Sequence, residues 1–220
     1  MTRLLCVCGL AVEARIARRA GFPVVVGAAR RRRTEALVAA ALAGAECLVS
    51  FGIAGALAPA LRPGDLVLSA EIVSDAGAWR GDAAWRQHLA AAAAAIGARG
   101  GRVLGAAEIL ATPAEKARAL ARHAALAVDL ESDIVARAAT QAGIRFAVLR
   151  AIADPAGRAL PAAARIPLGA GGRPDLARVL LSLLREPRQA AALIALARDA
   201  RQALKGLERA APALPRIADG

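Results

Sequence analysis

The sequence predicts a single α/β domain with a mixed, mostly parallel central sheet flanked by helices. Short apolar runs of strand character alternate with helical stretches, a pattern typical of parallel sheets covered on both faces. Of the 220 residues, 57% are hydrophobic, so the chain can bury a core and is not disordered. Because no linker or repeat divides it, we assign one domain to residues 1–209 and expect 210–220 to be a flexible tail.

The first half of the chain is expected to supply four strands and three helices. An apolar run at 4–8 breaks at Gly9, and another at 47–51 ends in a glycine turn, so both are predicted strands. The stretch after Pro63 and Gly64 is longer and predicts one strand over 65–73. The other elements of this half are a strand at 23–26 and helices at 12–19, 35–42 and, rich in alanine, 83–96.

The second half continues the alternation up to a loop rich in proline and glycine. That loop spans 155–174. Strands are predicted at 102–110, 126–130 and 146–152, and helices at 113–122, 132–142, 174–184 and 187–207.

The chain is strongly basic, with 30 Lys and Arg against 18 Asp and Glu and a net charge of +12. This balance indicates a polyanionic partner, or else a codon bias, since nearly all the cations are arginine beside abundant alanine. Aromatic residues are 2% of the chain, which argues against nucleic-acid binding by base stacking. A non-enzymatic protein that binds nucleic acid or an acidic membrane surface is the alternative to an enzyme.

The cysteines limit disulfide and metal chemistry. Cys6, Cys8 and Cys47 are too few for a disulfide framework and lack the additional ligands of a metal site, so we expect buried, reduced thiols and no metal. The N-terminus lacks a signal-peptide pattern, and glycine and proline interrupt the apolar segment 36–61. We therefore expect a cytoplasmic protein without a membrane span.

Acidic and glycine features follow several predicted strands, at the edge where parallel sheets bind ligands. They are GLAVE at 9–13, GIAGA at 52–56, DLE at 129–131 and RAIAD at 150–154. Each of these features also has a purely structural explanation; a carboxylate in the first turn of a helix, for example, is favoured by the helix dipole. Together they place carboxylates and a guanidinium along one sheet edge, which indicates a functional site.

These segments resemble, in the same order, motifs of the nucleoside phosphorylase and nucleosidase superfamily. AVDLES at 127–132 is similar to its V-[DE]-M-E-[AGS] motif, and LRAIAD at 149–154 to its R-x-I-S-D strand end. SFGIAGAL at 50–57 with PGDLV at 63–67 resembles its glycine turn and the strand that follows. GLAVE at 9–13 resembles the start of the methylthioadenosine/S-adenosylhomocysteine nucleosidases.

The resemblance implies cleavage of a purine N-glycosidic bond at this edge. Asp154 would be the general acid that protonates purine N7, and Arg150 would orient the carboxylates or the nucleophile. Glu131 would accept hydrogen bonds from ribose hydroxyls and stabilise the cationic transition state. The other implied substrate contacts are Leu130 beneath the sugar, Ile109 and Leu110 beside the base, and Gly52 and Ile53 in the glycine turn.

The nucleophile is predicted from departures from the phosphorolytic members, which hold phosphate with two arginines and a serine. The matching positions here are Glu13, Ser50 and Ile53. A carboxylate repels phosphate and suits a general base, so we expect Glu13 to activate water and hydrolysis to be favoured over phosphorolysis. If Arg15 or an arginine of 30–33 supplied phosphate contacts, phosphate would be the co-substrate; no other cofactor is expected.

Four further residues bear on the assignment of roles. Ala153 replaces a serine beside the acid, and Ala56 replaces a glycine of the turn. His88 and His123 lie in helical contexts and are expected to be exposed or capping, so neither is assigned to catalysis.

The implied substrate is an adenine nucleoside, from which adenine is released. EILATPAEK at 108–116 and the small chain are most similar to hopanoid-associated phosphorylases, which favours adenosylhopane, with methylthioadenosine or S-adenosylhomocysteine as alternatives. Relatives are dimers, trimers or hexamers, so a homo-oligomer is expected. A lipid-linked substrate would also bring the protein to the inner membrane face as a peripheral protein.

Overall fold

The centre of the sheet is a pair of long parallel strands. The computed structural model describes residues 3–169 and 171–219. In it, β3 (Cys47–Ala56) and β10 (Arg145–Asp154) are both ten residues long and pair in parallel. Nine residues of β10 are buried, as expected for a strand covered on both faces.

The other strands extend the sheet from this pair. They are β1 (Leu4–Cys8), β2 (Val24–Val26), β4 (Leu66–Ser69), β5 (Glu71–Ser74), β6 (Gly77–Arg80), β7 (Ala98–Arg99), β8 (Val103–Gly105) and β9 (Ala127–Asp129). The order is β6-β5-β8-β9-β3-β10-β4-β7, with β1 between β3 and β2. Antiparallel pairings join β10 to β4, β3 to β9 and β5 to β6, and the other pairings described are parallel. The predicted mixed, mostly parallel sheet is confirmed.

Helices lie between most of the strands and pack on the central pair. They are α1 (Ala11–Arg19), α2 (Arg31–Ala41), α3 (Ala83–Ile96), α4 (Pro113–His123), α5 (Ser132–Ala142), α6 (Leu176–Arg185), α7 (Ala190–Ala210) and α8 (Leu214–Ala218). Both α5 and α7 contact β3 and β10. Within the described residues, no helix combines the length and apolar character that a bilayer crossing requires.

Local turns explain where element boundaries differ from prediction. The predicted strand 65–73 is two strands, because the Ser69 hydroxyl accepts a hydrogen bond from Glu71 N at 2.9 Å and turns the chain between β4 and β5. The predicted strand 102–110 is limited to β8, and the hairpin strand β6 was not predicted. β3 continues through the glycine turn, so that turn is extended chain in the sheet.

The prediction that residues 210–220 form a flexible tail is wrong for the part of them that the structure describes. Leu214 and Ile217 in α8 are fully buried, and His88 Nε2 lies 2.8 Å from the carbonyl oxygen of Arg216. Packing of this short apolar helix against α3 holds the chain end in place, which local composition did not indicate. Gly220 of the predicted tail and Ala170 of the predicted loop lie outside the described residues.

Candidate active site

Glu13 joins the loop after β1 to the middle of β3. It occupies the first turn of α1, where its Oε2 accepts hydrogen bonds from Gly9 N at 3.0 Å and Leu10 N at 2.7 Å. Its Oε1 accepts from Ile53 N at 2.8 Å. Burial raises the pKa of Glu13, and the Arg150 charge and these backbone N–H groups oppose that rise. The carboxylate is therefore held in one orientation, with Ile53 as a backbone partner.

Arg150 lies on β10 and contacts side chains from β3, from β9 and from the residues between β9 and α5. The guanidinium is buried, and its Nε donates to Asp129 Oδ2 at 2.7 Å. Its Nη2 donates to Ser50 Oγ at 2.6 Å and to Glu131 Oε2 at 3.1 Å. A fully buried cation with this partner set is compensated by the two carboxylates that it contacts. Arg150 thus contacts the carboxylates of Asp129 and Glu131, of which Asp129 was not predicted as a partner.

Glu131 is the second buried carboxylate beside Arg150. It lies between β9 and α5, where Asp129 Oδ1 accepts hydrogen bonds from Glu131 N at 2.9 Å and Ser132 N at 2.8 Å. Burial, together with the negative charges of Asp129 and Glu13, raises the pKa of Glu131 to about 7, and Arg150 opposes the rise. Glu131 can therefore exchange a proton near neutral pH.

Two glycines allow these charged groups to approach the backbone. A Cβ at Gly52 would lie 2.6 Å from Arg150 Nη1 and 2.6 Å from the carboxyl carbon of Glu13. Both distances are shorter than any non-bonded contact that a Cβ makes in a folded protein. A Cβ at Gly9 would lie 2.7 Å from Glu131 Oε1. Gly52, predicted as a substrate contact, thus also has a packing role, since it leaves the space in which Glu13 and Arg150 meet.

Asp154 lies at the end of β10, opposite Gly55 and four residues beyond Arg150. Its Oδ2 accepts a hydrogen bond of 2.5 Å from Lys116, whose ammonium also donates to the carbonyl oxygens of Pro155 and Arg158, each at 3.0 Å. All three ammonium protons of the buried lysine are thereby used. Asp154 Oδ1 is buried and has no hydrogen-bond partner among the described residues.

The protonation of Asp154 is set by opposing effects. Burial raises its pKa, while Lys116 and the more distant Arg158 lower it. Asp199 also faces this group and is paired with Arg158. Such a carboxyl can hold a proton, and its anion is stabilised by Lys116 once the proton leaves.

Lys116 was missed from the sequence because it comes from another part of the chain. It lies in α4, whose start is fixed by Thr112 and Glu115 in a reciprocal capping arrangement. Its residue type could have drawn attention to it, because only two of the 30 Lys and Arg residues are lysines. The distance to Asp154 depends on how α4 approaches β10, which local sequence does not specify.

The three apolar residues that were predicted to contact the substrate do not form one group. Leu130 is half-buried beside Glu131, and Leu110 packs against a small apolar cluster that includes Leu57 and Val128. Ile109 is 41% exposed on an irregular segment after β8, where a strand was expected.

The arginines of 30–33, which were the alternative source of phosphate contacts, are partly engaged elsewhere. Arg31 is ion-paired with Asp133, and Arg30 Nη2 donates to the carbonyl oxygen of Leu168 at 3.1 Å. Arg15 is exposed on α1. The structure thus brings Glu13, rather than these groups, to the centre of the cluster.

Of the cysteines, Cys8 lies close enough to the acidic cluster for the charges of Glu13, Arg150 and Glu131 to act on its thiol. The three cysteines are buried and free, as predicted, and burial raises the pKa of Cys47 to about 12. His123 Nε2 lies 3.5 Å from Asp75. Among residues 3–169 and 171–219, no three His, Cys, Asp or Glu side chains are grouped so that they could hold a metal ion.

The sequence matches the model of one known protein family. The family model described as the phosphorylase superfamily matches residues 4–185, which is most of the chain. The chain belongs to the phosphorylase superfamily. This phosphorylase-superfamily protein is accordingly an enzyme, and the resemblance seen in its motifs is confirmed at the level of the superfamily.

Solved structures share the fold of this phosphorylase-superfamily protein. A methylthioadenosine/S-adenosylhomocysteine nucleosidase from Neisseria meningitidis is 16% identical over 96% of this chain and 99% of its own, with a TM-score of 0.62. A futalosine hydrolase from Helicobacter pylori is 13% identical over 96% and 98%, with a TM-score of 0.62. A mutant Helicobacter pylori nucleosidase with 5′-methylthioadenosine in its active site is 15% identical over 96% and 98%, with a TM-score of 0.61. A search of curated protein sequences gave no match.

Proposed function

We propose that this protein hydrolyses the N-glycosidic bond of an adenine nucleoside and releases adenine. The observation that carries the proposal is the charge of the buried cluster, where Glu13, Asp129 and Glu131 surround Arg150. Three carboxylates beside one guanidinium disfavour a phosphate ion and favour water as the nucleophile. The same charges favour the positive charge that develops on the ribose in the transition state.

In this mechanism Glu13 accepts a proton from the attacking water. Burial raises its pKa above the usual value of a carboxylate, which makes it a stronger base toward the attacking water. Its orientation is fixed by three backbone N–H groups, which leave one lone pair, on Oε1, for water. Arg150 holds Glu131, which would accept hydrogen bonds from the ribose hydroxyls.

At the other end of the nucleoside, Asp154 would donate a proton to purine N7 as the glycosidic bond breaks. The four residues from Arg150 to Asp154 correspond to about 13 Å of extended strand. A nucleoside lying along β10 could therefore reach both groups with its sugar and its base. The unpartnered Oδ1 of Asp154 is the oxygen that would face the base.

The neighbours in fold support this class of substrate. Two are named as a methylthioadenosine/S-adenosylhomocysteine nucleosidase and a futalosine hydrolase, and one holds 5′-methylthioadenosine. Within the class, we propose adenosylhopane as the substrate, on the resemblance of residues 108–116 and the aliphatic residues there. Methylthioadenosine, S-adenosylhomocysteine and a phosphate-dependent reaction are the alternatives. A cytoplasmic homo-oligomer is proposed on the same resemblance.

The decisive experiment measures adenine release from methylthioadenosine and adenosine, with and without phosphate, in isotopically labelled water. Hydrolysis gives adenine without phosphate and a labelled free sugar; strict phosphate dependence, with a sugar 1-phosphate as product, would overturn the proposal. Glu13→Gln is expected to lower turnover by about 10²-fold or more. The matched control is Glu46→Gln, an exposed carboxylate outside the cluster, with turnover unchanged.

A further inference from the structure

Helix α6 presents an apolar stripe to the outside of the molecule. None of its ten residues is buried, whereas every other described α-helix buries at least one. Leu176, Leu180 and Leu184 are 76%, 58% and 70% exposed, and Leu181 is 46% exposed. Residues four apart lie on one side of a helix, so these leucines form one stripe. A cluster of this kind indicates a surface that contacts another phase or molecule.

Arginines surround this stripe. Within residues 165–188 the sequence has five arginines and two acidic residues. One of the acidic residues, Asp175, caps the helix by accepting a hydrogen bond from Arg178 N at 3.1 Å, and it also pairs with the Arg178 side chain. The arginines, all of them exposed, are Arg165, Arg173, Arg178, Arg185 and Arg188. An apolar stripe bordered by arginine is typical of helices that lie in a membrane interface.

The segment before α6 is attached to the loop that carries Glu13. Ala11 N donates to the Gly172 carbonyl oxygen at 3.0 Å. Gly172 has a φ of +73°, and a Cβ there would lie 2.9 Å from the carbonyl oxygen of Gly9. The close approach needs glycine for both reasons. The chain four residues before α6 therefore lies against the β1–α1 loop, whose N–H groups hold Glu13.

We propose that α6 docks the protein on an anionic bilayer, with the leucine stripe at the headgroup–acyl boundary and the arginines on lipid phosphates. The proposal goes beyond the reaction and does not depend on it. A second copy of the chain fits this face less well. A ten-residue helix is about 15 Å long, so four leucines cover far less than the roughly 800 Å² per partner of a stable interface. Two copies would also bring arginines of like charge together.

The test is flotation of the full chain with vesicles of phosphatidylcholine alone or mixed with phosphatidylglycerol. Binding is expected with the anionic vesicles, with weakening by salt. Leu180→Ser/Leu184→Ser should weaken binding by about tenfold or more. Arg178→Gln/Arg185→Gln should weaken it at low salt, while the control Arg18→Gln/Arg19→Gln, which removes equal charge from exposed positions on α1, should leave most of it.

Three outcomes would overturn the docking proposal: no binding to anionic vesicles, equal loss in the two arginine variants, or a dimer that dissociates in the leucine variant. Adenine release from soluble methylthioadenosine is measured in parallel for each variant and is expected to be unchanged. Retained activity without vesicle binding would reject docking alone. Vesicle binding without adenine release would reject the proposed reaction alone.

Discussion

Lys116 donates a hydrogen bond to Asp154 at 2.5 Å from a helix that the sequence places 38 residues away. Burial raises the pKa of Asp154, and the positive charge of Lys116 lowers it. The Lys116 side chain is itself buried. Lys116 therefore opposes protonation of Asp154, the group that we propose as the general acid.

Lys116→Met is expected to raise the pKa of Asp154, because the opposing positive charge is removed while burial remains. The alkaline limb of the kcat/KM profile for adenine release should move up by about 1–3 pH units, and maximal kcat should fall, since the Asp154 anion loses its partner. Lys116→Arg keeps the charge and should restore the limb. An unchanged limb in the methionine variant would show that Lys116 does not act on the acid.

Asp154→Asn should lower kcat by at least about 10²-fold, because the amide keeps the shape of the side chain but has no acidic proton for N7. The control is Asp199→Asn, a carboxylate paired with Arg158 nearby, for which near-normal turnover is expected. Steady-state assays of adenine release compare the two. Near-normal turnover in Asp154→Asn would remove this residue from the role of acid.

Gly52→Ala should reduce kcat/KM by about 10²-fold or more while the protein stays folded. The new Cβ would displace Glu13 and Arg150, which lie 2.6 Å from its position. Gly100→Ala is the control, because no atom lies within 4 Å of a Cβ there. Activity and circular dichroism distinguish a displaced site from an unfolded chain, and full activity in Gly52→Ala would contradict the observed packing.

The raised pKa of Glu131 makes the stability of the folded protein depend on pH. Its pKa is about 7 in the folded protein against a usual 4.5, so the folded state holds a proton that the unfolded chain releases between these values. The free energy of unfolding should therefore fall as pH rises from about 4.5 to 7, by on the order of 3 kcal/mol, and stay lower above pH 7. Thermal melts of Glu131→Gln should show a smaller decline, since Glu13 and Asp154, whose pKa values are also raised by burial, remain, and Glu46→Gln should keep the full decline. An equal decline in both variants would assign the pH dependence to other groups.

The packed chain end can be tested by stability alone. Ile217→Ala should lower the free energy of unfolding by about 2–5 kcal/mol, because Ile217 is fully buried. Ile194→Ala, at a 55% exposed position, should change it by less than about 0.5 kcal/mol. Denaturant melts measure both, and equal values would mean that α8 does not stay packed in solution.

Sequence reasoning found the parts of the site that strand ends supply. Glu13, Glu131 and Arg150 follow apolar runs whose order in the sheet is limited by the rules for parallel strands, so their meeting could be expected. Lys116 and Ile217 could not be found in this way. Each lies on a helix whose partner is set by tertiary packing, and neither position is marked by local periodicity.

The pairing of β3 with β10 makes the site inseparable from the most protected part of the fold. Ile53, whose N–H donates to the Glu13 carboxylate, and Arg150 both lie on these paired strands. The acceptor of the Ile53 N–H is a side chain in the first turn of α1, so this amide should exchange with solvent whenever Glu13 moves away, without unfolding of the ladder. Its exchange rate would then report how often the Glu13 carboxylate leaves the position in which the backbone holds it.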